Sequence, residues 1–139
     1  MKAITICQPY AWLISLPTSD PRHKRVENRT WYTAYRGPIL IHAGKSRDWL
    51  DTWEDITDEE RARLVYGAIV AKANLVACLD LPHVQYPRPG FAWVRRHQHT
   101  EGPWCWILED IQPMTPIYCP GHQMLWDYAP QAVPGGLFR

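Results

Sequence analysis

Short runs of apolar residues, several with a period of two, recur along this chain, and the pattern predicts a small sheet with few helices. Ala3-Ile4-Thr5-Ile6-Cys7 reads as an opening strand rich in β-branched residues. Gln8-Pro9 starts a helix, since proline is tolerated at a first helical position, and apolar turns from Tyr10 to Leu16 stop at Pro17. Such a helix points free backbone N–H groups out beside Gln8, a natural place for an anion or carbonyl oxygen. Lys24 to Trp31 reads as the next strand. Alternation puts Glu27, Arg29 and Trp31 on one face and Lys24 on the other. Lys24 and Glu27 can meet only if Lys24 precedes the strand proper or if a bulge turns the chain. The Pro21-Arg22-His23 lead-in favours the first route.

Thr33 to Pro38 is turn material, and Ile39 to Ala43 is a strand with His42 on the Leu40 side. Ser46 to Trp53 predicts a short helix. Thr57-Asp58-Glu59-Glu60 has the capping-box pattern, predicting a solvated helix that runs to about Tyr66 and ends at Gly67. Ala68 to Leu81 is the longest strand expected. A loop from Pro82 to Pro103 exceeds the usual connection length, as lids and binding loops do. Trp104 to Glu109 and Pro116 to Cys119 read as two closing strands. Leu125-Trp126 plugs the barrel end, and Pro134-Gly135-Gly136 leads to a tail. The sum is one α+β domain over residues 1–139: a partly open β-barrel of about five or six strands with two or three flanking helices.

Composition narrows the class. Apolar residues make up 46% of 139 residues, enough for one real core, and eight Trp with thirteen Pro favour compact β structure with rigid loops. A formal net charge of +1 excludes a wholesale basic binder. The charge is uneven, however. Residues 1–50 hold eight Lys/Arg against three acids, and residues 51–60 hold six acids and no base. Cys7, Cys78, Cys105 and Cys119 form no C-x-x-C pair and sit in or beside apolar runs, as buried thiols do. No signal peptide and no membrane-length apolar run is read, so the expectation is a soluble cytoplasmic protein without a membrane partner.

The candidate chemistry concentrates between Arg22 and Lys45. Lys24, Glu27 and Arg29 are followed at once by Trp31, Tyr32 and Tyr35. An ammonium and a carboxylate in one site can pass a proton, aromatic faces take a base, and an Arg fork holds carbonyl or phosphate oxygens. The same residues also make a structural ion pair at a barrel rim. Arg29 fits a buried partner of Glu27, Trp12 and Trp31 fit a core, and His42 fits a hydrogen-bonded core histidine. Arg88, Arg95 and Arg96, interleaved with Tyr86, Phe91 and Trp93, can track a phosphate backbone or simply face solvent. His97-x-His99 is half a metal site with no Cys/His cluster to complete it, and no metal or cofactor is expected. Ala43-Gly44-Lys45-Ser46 mimics the end of a P-loop, but Ile39 stands where its first glycine belongs.

Several pieces together resemble the ASCH family, the activating signal cointegrator homology domains with a PUA-like barrel. They are Gln8-Pro9-Tyr10-Ala11-Trp12, Lys24-x-x-Glu27-x-Arg29-x-Trp31, Tyr35-Arg36-Gly37 and Ile41-His42-Ala43. Gly67 to Val70, Gly102 to Glu109 and Gly121 to Trp126 follow in the right order. The resemblance implies a pocket between the first helix and the barrel mouth, lined by the K-x-x-E-x-R segment, for RNA or nucleobase-type ligands. It implies either a binding module or a small amidohydrolase that removes the acyl group from the exocyclic nitrogen of cytidine. The best-known amidohydrolases carry a threonine three residues after the lysine. Glu27 stands there in this chain, so a threonine nucleophile is absent, as in a related Lys-x-x-Glu branch.

Two functions are therefore expected. The first is a metal-free amidohydrolase, acting on N4-acylated cytidine-type nucleosides, with Lys24 and Glu27 catalytic. Gln8, Arg29, Trp31, Tyr35 and His42 would line its substrate site. The second is a non-catalytic RNA-binding module that uses the same cleft with Arg88, Arg95 and Arg96. A protein-interaction module with a vestigial pocket is a third.

Overall fold

The computed structural model of the chain describes residues 1–83 and 90–130. Its elements in order are β1 (Lys2–Ile6), α1 (Tyr10–Ser15), β2 (Val26–Arg29), β3 (Gly37–Ala43), α2 (Asp58–Ala62), β4 (Ala68–Asp80), β5 (Trp104–Tyr118) and β6 (Leu125–Asp127). Six strands form one sheet in the order β2-β5-β4-β3-β1-β6. It curls into a half-barrel with two helices, the small α+β fold expected. β1 and β3 are parallel and the other neighbouring pairs are antiparallel. The main core fills the curl beneath α1, with Ile14, Ile39, Ile41, Leu75 and Trp106 at its centre. A second cluster, Val26, Ala77, Val94 and Ile107, packs the segment after Gly90 onto the β2–β5 end. Leu125-Trp126 pairs with β1, and Trp126 closes a third cluster with Ala3 and Leu40. No helix among the described residues is long and apolar enough to cross a membrane.

The structure departs from the local pattern at three places. Ser46 to Trp53 makes only a single 3-10 turn at Leu50–Thr52, because Ser46 Oγ caps the Asp48 N–H and Thr52 Oγ1 donates to the Trp49 carbonyl. The capping box at Thr57 and Glu60 forms in full, and α2 is solvated as read. That helix nevertheless stops at Ala62, short of Tyr66. Beyond it the Val65 carbonyl accepts the Gln8 amide at 2.8 Å and Gly67 N–H reaches the Ala43 carbonyl at 2.7 Å, so the chain is drawn off to the sheet. The two expected closing strands are one strand, β5, whose 15 residues exceed the 13 of β4. Asp110, at φ 49, makes a kink that the sequence shows as a break, and the register slips there without the strand ending. Pro113 and Pro116 lie past the stretch that β2 covers, where a missing N–H costs the ladder least.

Candidate functional site

β2 begins at Val26, so Lys24 lies before the strand, free of its alternation. Its backbone N–H is anchored on the Leu13 carbonyl of α1 at 3.0 Å, and its side chain turns inward, where Nζ also donates to the Val26 carbonyl. Lys24 Nζ stands 3.1 Å from Glu27 Oε1, and Arg29 Nη2 stands 2.9 Å from Glu27 Oε2. Each carboxylate oxygen thus faces one cation and keeps lone-pair capacity for another donor. Arg29 Nη2 further donates to the Thr5 carbonyl at 2.8 Å, which fixes the fork across the end of β1.

These three side chains line one cleft of about 440 Å³, although Lys24 and Glu27 are only 3% and 8% exposed. The volume lies in the range of small-molecule sites, roughly 300–1,000 Å³. Tyr10, Trp49 and Trp53 supply aromatic walls. The Tyr10 hydroxyl meets Thr52 Oγ1 at 2.5 Å, tying α1 to the 3-10 turn that carries both tryptophans. Two buried donors at this cleft have no hydrogen-bond partner, Arg29 Nε and Trp53 Nε1. Folded proteins pair the great majority of such atoms. The cleft therefore offers an acidic acceptor, two cations and two free N–H groups between aromatic rings. Cys7 also lines it, but burial pushes its thiol pKa up, away from the thiolate a nucleophile needs.

The remaining wall is the 98–101 segment. Asn28 holds it with three bonds: Nδ2 donates to the His99 carbonyl, and Oδ1 accepts from the Glu101 and Gly102 N–H groups, each at 2.8 Å. His99 Nε2 meets the Arg22 carbonyl at 2.8 Å, and its ring lies 4.6 Å from that of Trp53. Burial holds the His99 pKa down, against the bond to the Arg22 carbonyl and with repulsion from Lys24 and His23 added; because that carbonyl only accepts, Nε2–H is the donor.

The other residues singled out in the sequence fall elsewhere. Gln8 is buried with its amide engaged at both ends, Nε2 on the Val65 carbonyl and Oε1 on the Trp12 N–H. That second bond covers one of the helix N–H groups that the sequence leaves open. Tyr35 donates its hydroxyl to the Pro38 carbonyl at 2.5 Å and packs on the core. Trp31 and His42 line a neighbouring hollow of about 680 Å³, which meets the cleft at Thr5 and Arg29. Trp31 packs edge-on against Trp106 at 4.8 Å. His42 is saturated: Thr5 Oγ1 accepts the Trp126 indole N–H and lies 3.2 Å from Nδ1, while Nε2 meets the Cys119 carbonyl at 2.8 Å. Arg95 donates to the Leu81 carbonyl, and Arg96 lines a separate pocket. Arg88 lies outside the described residues. Among the described residues no three His, Cys, Asp or Glu side chains group as metal ligands.

Trp49, Trp53, Asn28 and His99 are cleft residues that sequence reasoning missed. The two tryptophans belong to the segment that reads as a short helix, and His99 reads in the sequence only as half a metal site. The long loop carrying His99 was the one usable clue.

No family profile and no curated protein matches the chain. Among solved structures it is similar to the crystal structure of ASCH from Zymomonas mobilis, at 19% identity and a TM-score of 0.48, over 84% of this chain and 72% of that one. Two substitution mutants of the same Zymomonas mobilis protein give 19% identity and TM-scores of 0.45 and 0.43, over 84% of this chain and 74% and 72% of theirs.

Proposed function

We propose that the cleft hydrolyses an amide on a nucleobase, with N4-acylated cytidines as the substrate class. The supporting observation is the Lys24–Glu27 pair, 3.1 Å apart and lining the same cleft. The acyl-cytidine assignment comes from the motif resemblance; the geometry supports only the chemistry. In that chemistry Glu27 takes a proton from a water as the water oxygen bonds to the acyl carbon. The oxyanion that forms lies against the Lys24 ammonium. The carbon–nitrogen bond then breaks, and the proton held on Glu27 passes to the leaving exocyclic nitrogen. The products are a carboxylic acid and the free amine. Arg29 Nε–H and Trp53 Nε1–H are donors for the base carbonyl, and Trp49 or Trp53 is the stacking face.

The test is the absorbance change of N4-acetylcytidine with the wild type, Lys24→Ala and Glu27→Gln. A positioned acid–base group contributes on the order of 10²–10⁴-fold, so each variant is expected to lose that much of kcat. An inert wild type at high enzyme concentration removes the reading. The nucleic-acid reading has one observation in its favour, the placement of Arg96 beside Arg25 at a pocket next to the cleft. It predicts oligonucleotide affinity that falls steeply with salt.

A further inference from the structure

Gln98 lines the cleft on one side and a second pocket of about 420 Å³ on the other. Arg25 and Arg96 reach this second pocket together with His23 and His97. One carboxylate, Asp20, also lines it, but Arg22 already holds that group at 2.9 Å. Neither Arg25 nor Arg96 is ion-paired among the described residues.

Three buried nitrogens of this pocket's side chains have no hydrogen-bond partner: His23 Nδ1, Arg25 Nε and His97 Nε2. One orphan of this kind is unusual in a folded protein, and three around one pocket point to a missing partner. The Arg25 Nε–H is a permanent donor, since a guanidinium does not lose its proton in proteins. Its carbon lies 3.7 Å from the Trp93 ring centroid, which holds the fork in place. Two guanidinium groups, with two imidazoles that become full donors on protonation, ask for a ligand that accepts hydrogen bonds, carries negative charge and offers several oxygens.

We infer that His23, Arg25, Arg96 and His97 form a phosphate-binding site beside the cleft. The phosphate is either free or carried by a nucleoside whose base occupies the cleft. Only this second source rests on the function proposed above. Occupancy also reverses the local field. His97 now faces His99, Lys24, Arg25 and His23, and burial, with repulsion from these groups added, holds its pKa at about 4. His23 faces Arg25 and Asp20 and is held down chiefly by burial. A bound phosphate raises both.

The full chain is titrated with inorganic phosphate, cytidine 5′-monophosphate and cytidine while NMR follows the Arg25 Nε–H and the His23 and His97 rings. Phosphate or the monophosphate is expected to shift all three, and His97 is expected to titrate at higher pH. Arg96 is exposed, so Arg96→Ala keeps the fold; its phosphate affinity is expected to drop on the order of tenfold. Its response to cytidine is expected to be unchanged. Response to the monophosphate alone marks a phosphate corner of the cleft, and response to inorganic phosphate as well marks a free-standing site. No shift with either inorganic phosphate or the monophosphate well above about 1 mM overturns the inference. An affinity that ignores Arg96→Ala overturns it equally. A cytidine-silent cleft with phosphate still bound removes the nucleoside reading and leaves this site standing.

Discussion

Asn28 and His99 are joined by a 2.8 Å bond from the Asn28 amide to the His99 carbonyl, and through it the edge strand β2 positions the loop that walls the cleft. Asn28 sits between the two residues that grip the site, Glu27 and Arg29, so its register sets both walls at once. Asn28→Ala removes three part-buried or exposed bonds to backbone, and stability is expected to fall by about 1 kcal/mol, the net worth of a typical hydrogen bond. Asn28→Asp is the sharper variant. It keeps the acceptor for Glu101 and Gly102 but sets a carboxylate oxygen against the His99 carbonyl. Amide exchange is expected to speed up at Glu101 and Gly102 for the alanine variant. For the aspartate variant the protection of those two N–H groups is expected to survive while His99 moves.

Gly121 packs directly against His42 and Thr5. A Cβ there would stand 2.6 Å from His42 Cε1 and 2.7 Å from both His42 Nδ1 and Thr5 Oγ1. Neither neighbour is the loose end of a flexible chain, because His42 is pinned to Thr5 and to the Cys119 carbonyl. Gly121→Ala is expected to destabilise by about 1–3 kcal/mol, the usual cost of overpacking. Urea unfolding measures it, and hydrolysis is expected to persist in the folded fraction, since His42 lies outside the cleft.

Acid stability follows from the buried imidazoles. His97 takes up its proton near 6.5 when unfolded and only near about 4 when folded, chiefly because burial disfavours its charge. Between those values the unfolded chain holds the extra proton, so acid favours unfolding and stability rises with pH across that window. His23, His42 and His99 shift in the same direction, also chiefly by burial. Asp20 and Glu60 act lower down. Hydrogen bonds from Arg22 hold both at about 2, so their contribution is lost only as pH falls below the usual carboxylate range. His97→Gln is expected to flatten the fall of the urea midpoint between pH 6.5 and 4 while leaving the steeper loss below it.

How much of this was written locally follows from where the forces act. The capping box was legible because all its partners lie within four residues. The opening strand and the Ile39–Ala43 strand were legible because their burial repeats along the chain. Lys24 and Glu27 were legible as a pair because Pro21 delays the strand, a backbone effect readable from composition. Trp53 and His99 were not, because the cleft they line is closed by Asn28 and Tyr10, partners 25 or more residues away in sequence from each. The same non-locality joined the two expected closing strands into β5, whose pairing with β4 carries it through the Asp110 bend.

Trp53 separates stacking from hydrogen bonding in the cleft. Its indole N–H has no partner, and its ring stands 4.6 Å from His99 at 38°. Removing an unpartnered N–H breaks no bond within the protein, so any loss on that account appears in binding and not in folding. Trp53→Phe keeps an aromatic face and drops only the donor, whereas Trp53→Ala drops both. Because the N–H lies at the cleft with nothing to bond, a base carbonyl is its expected acceptor. Trp53→Phe is then expected to raise the dissociation constant for cytidine on the order of tenfold. Trp53→Ala is expected to go further, by the ~1–3 kcal/mol that stacking contributes per base. Equal affinities for wild type and Trp53→Phe, read by fluorescence or calorimetry, would leave the ring as a platform alone and move base recognition to the Arg29 fork.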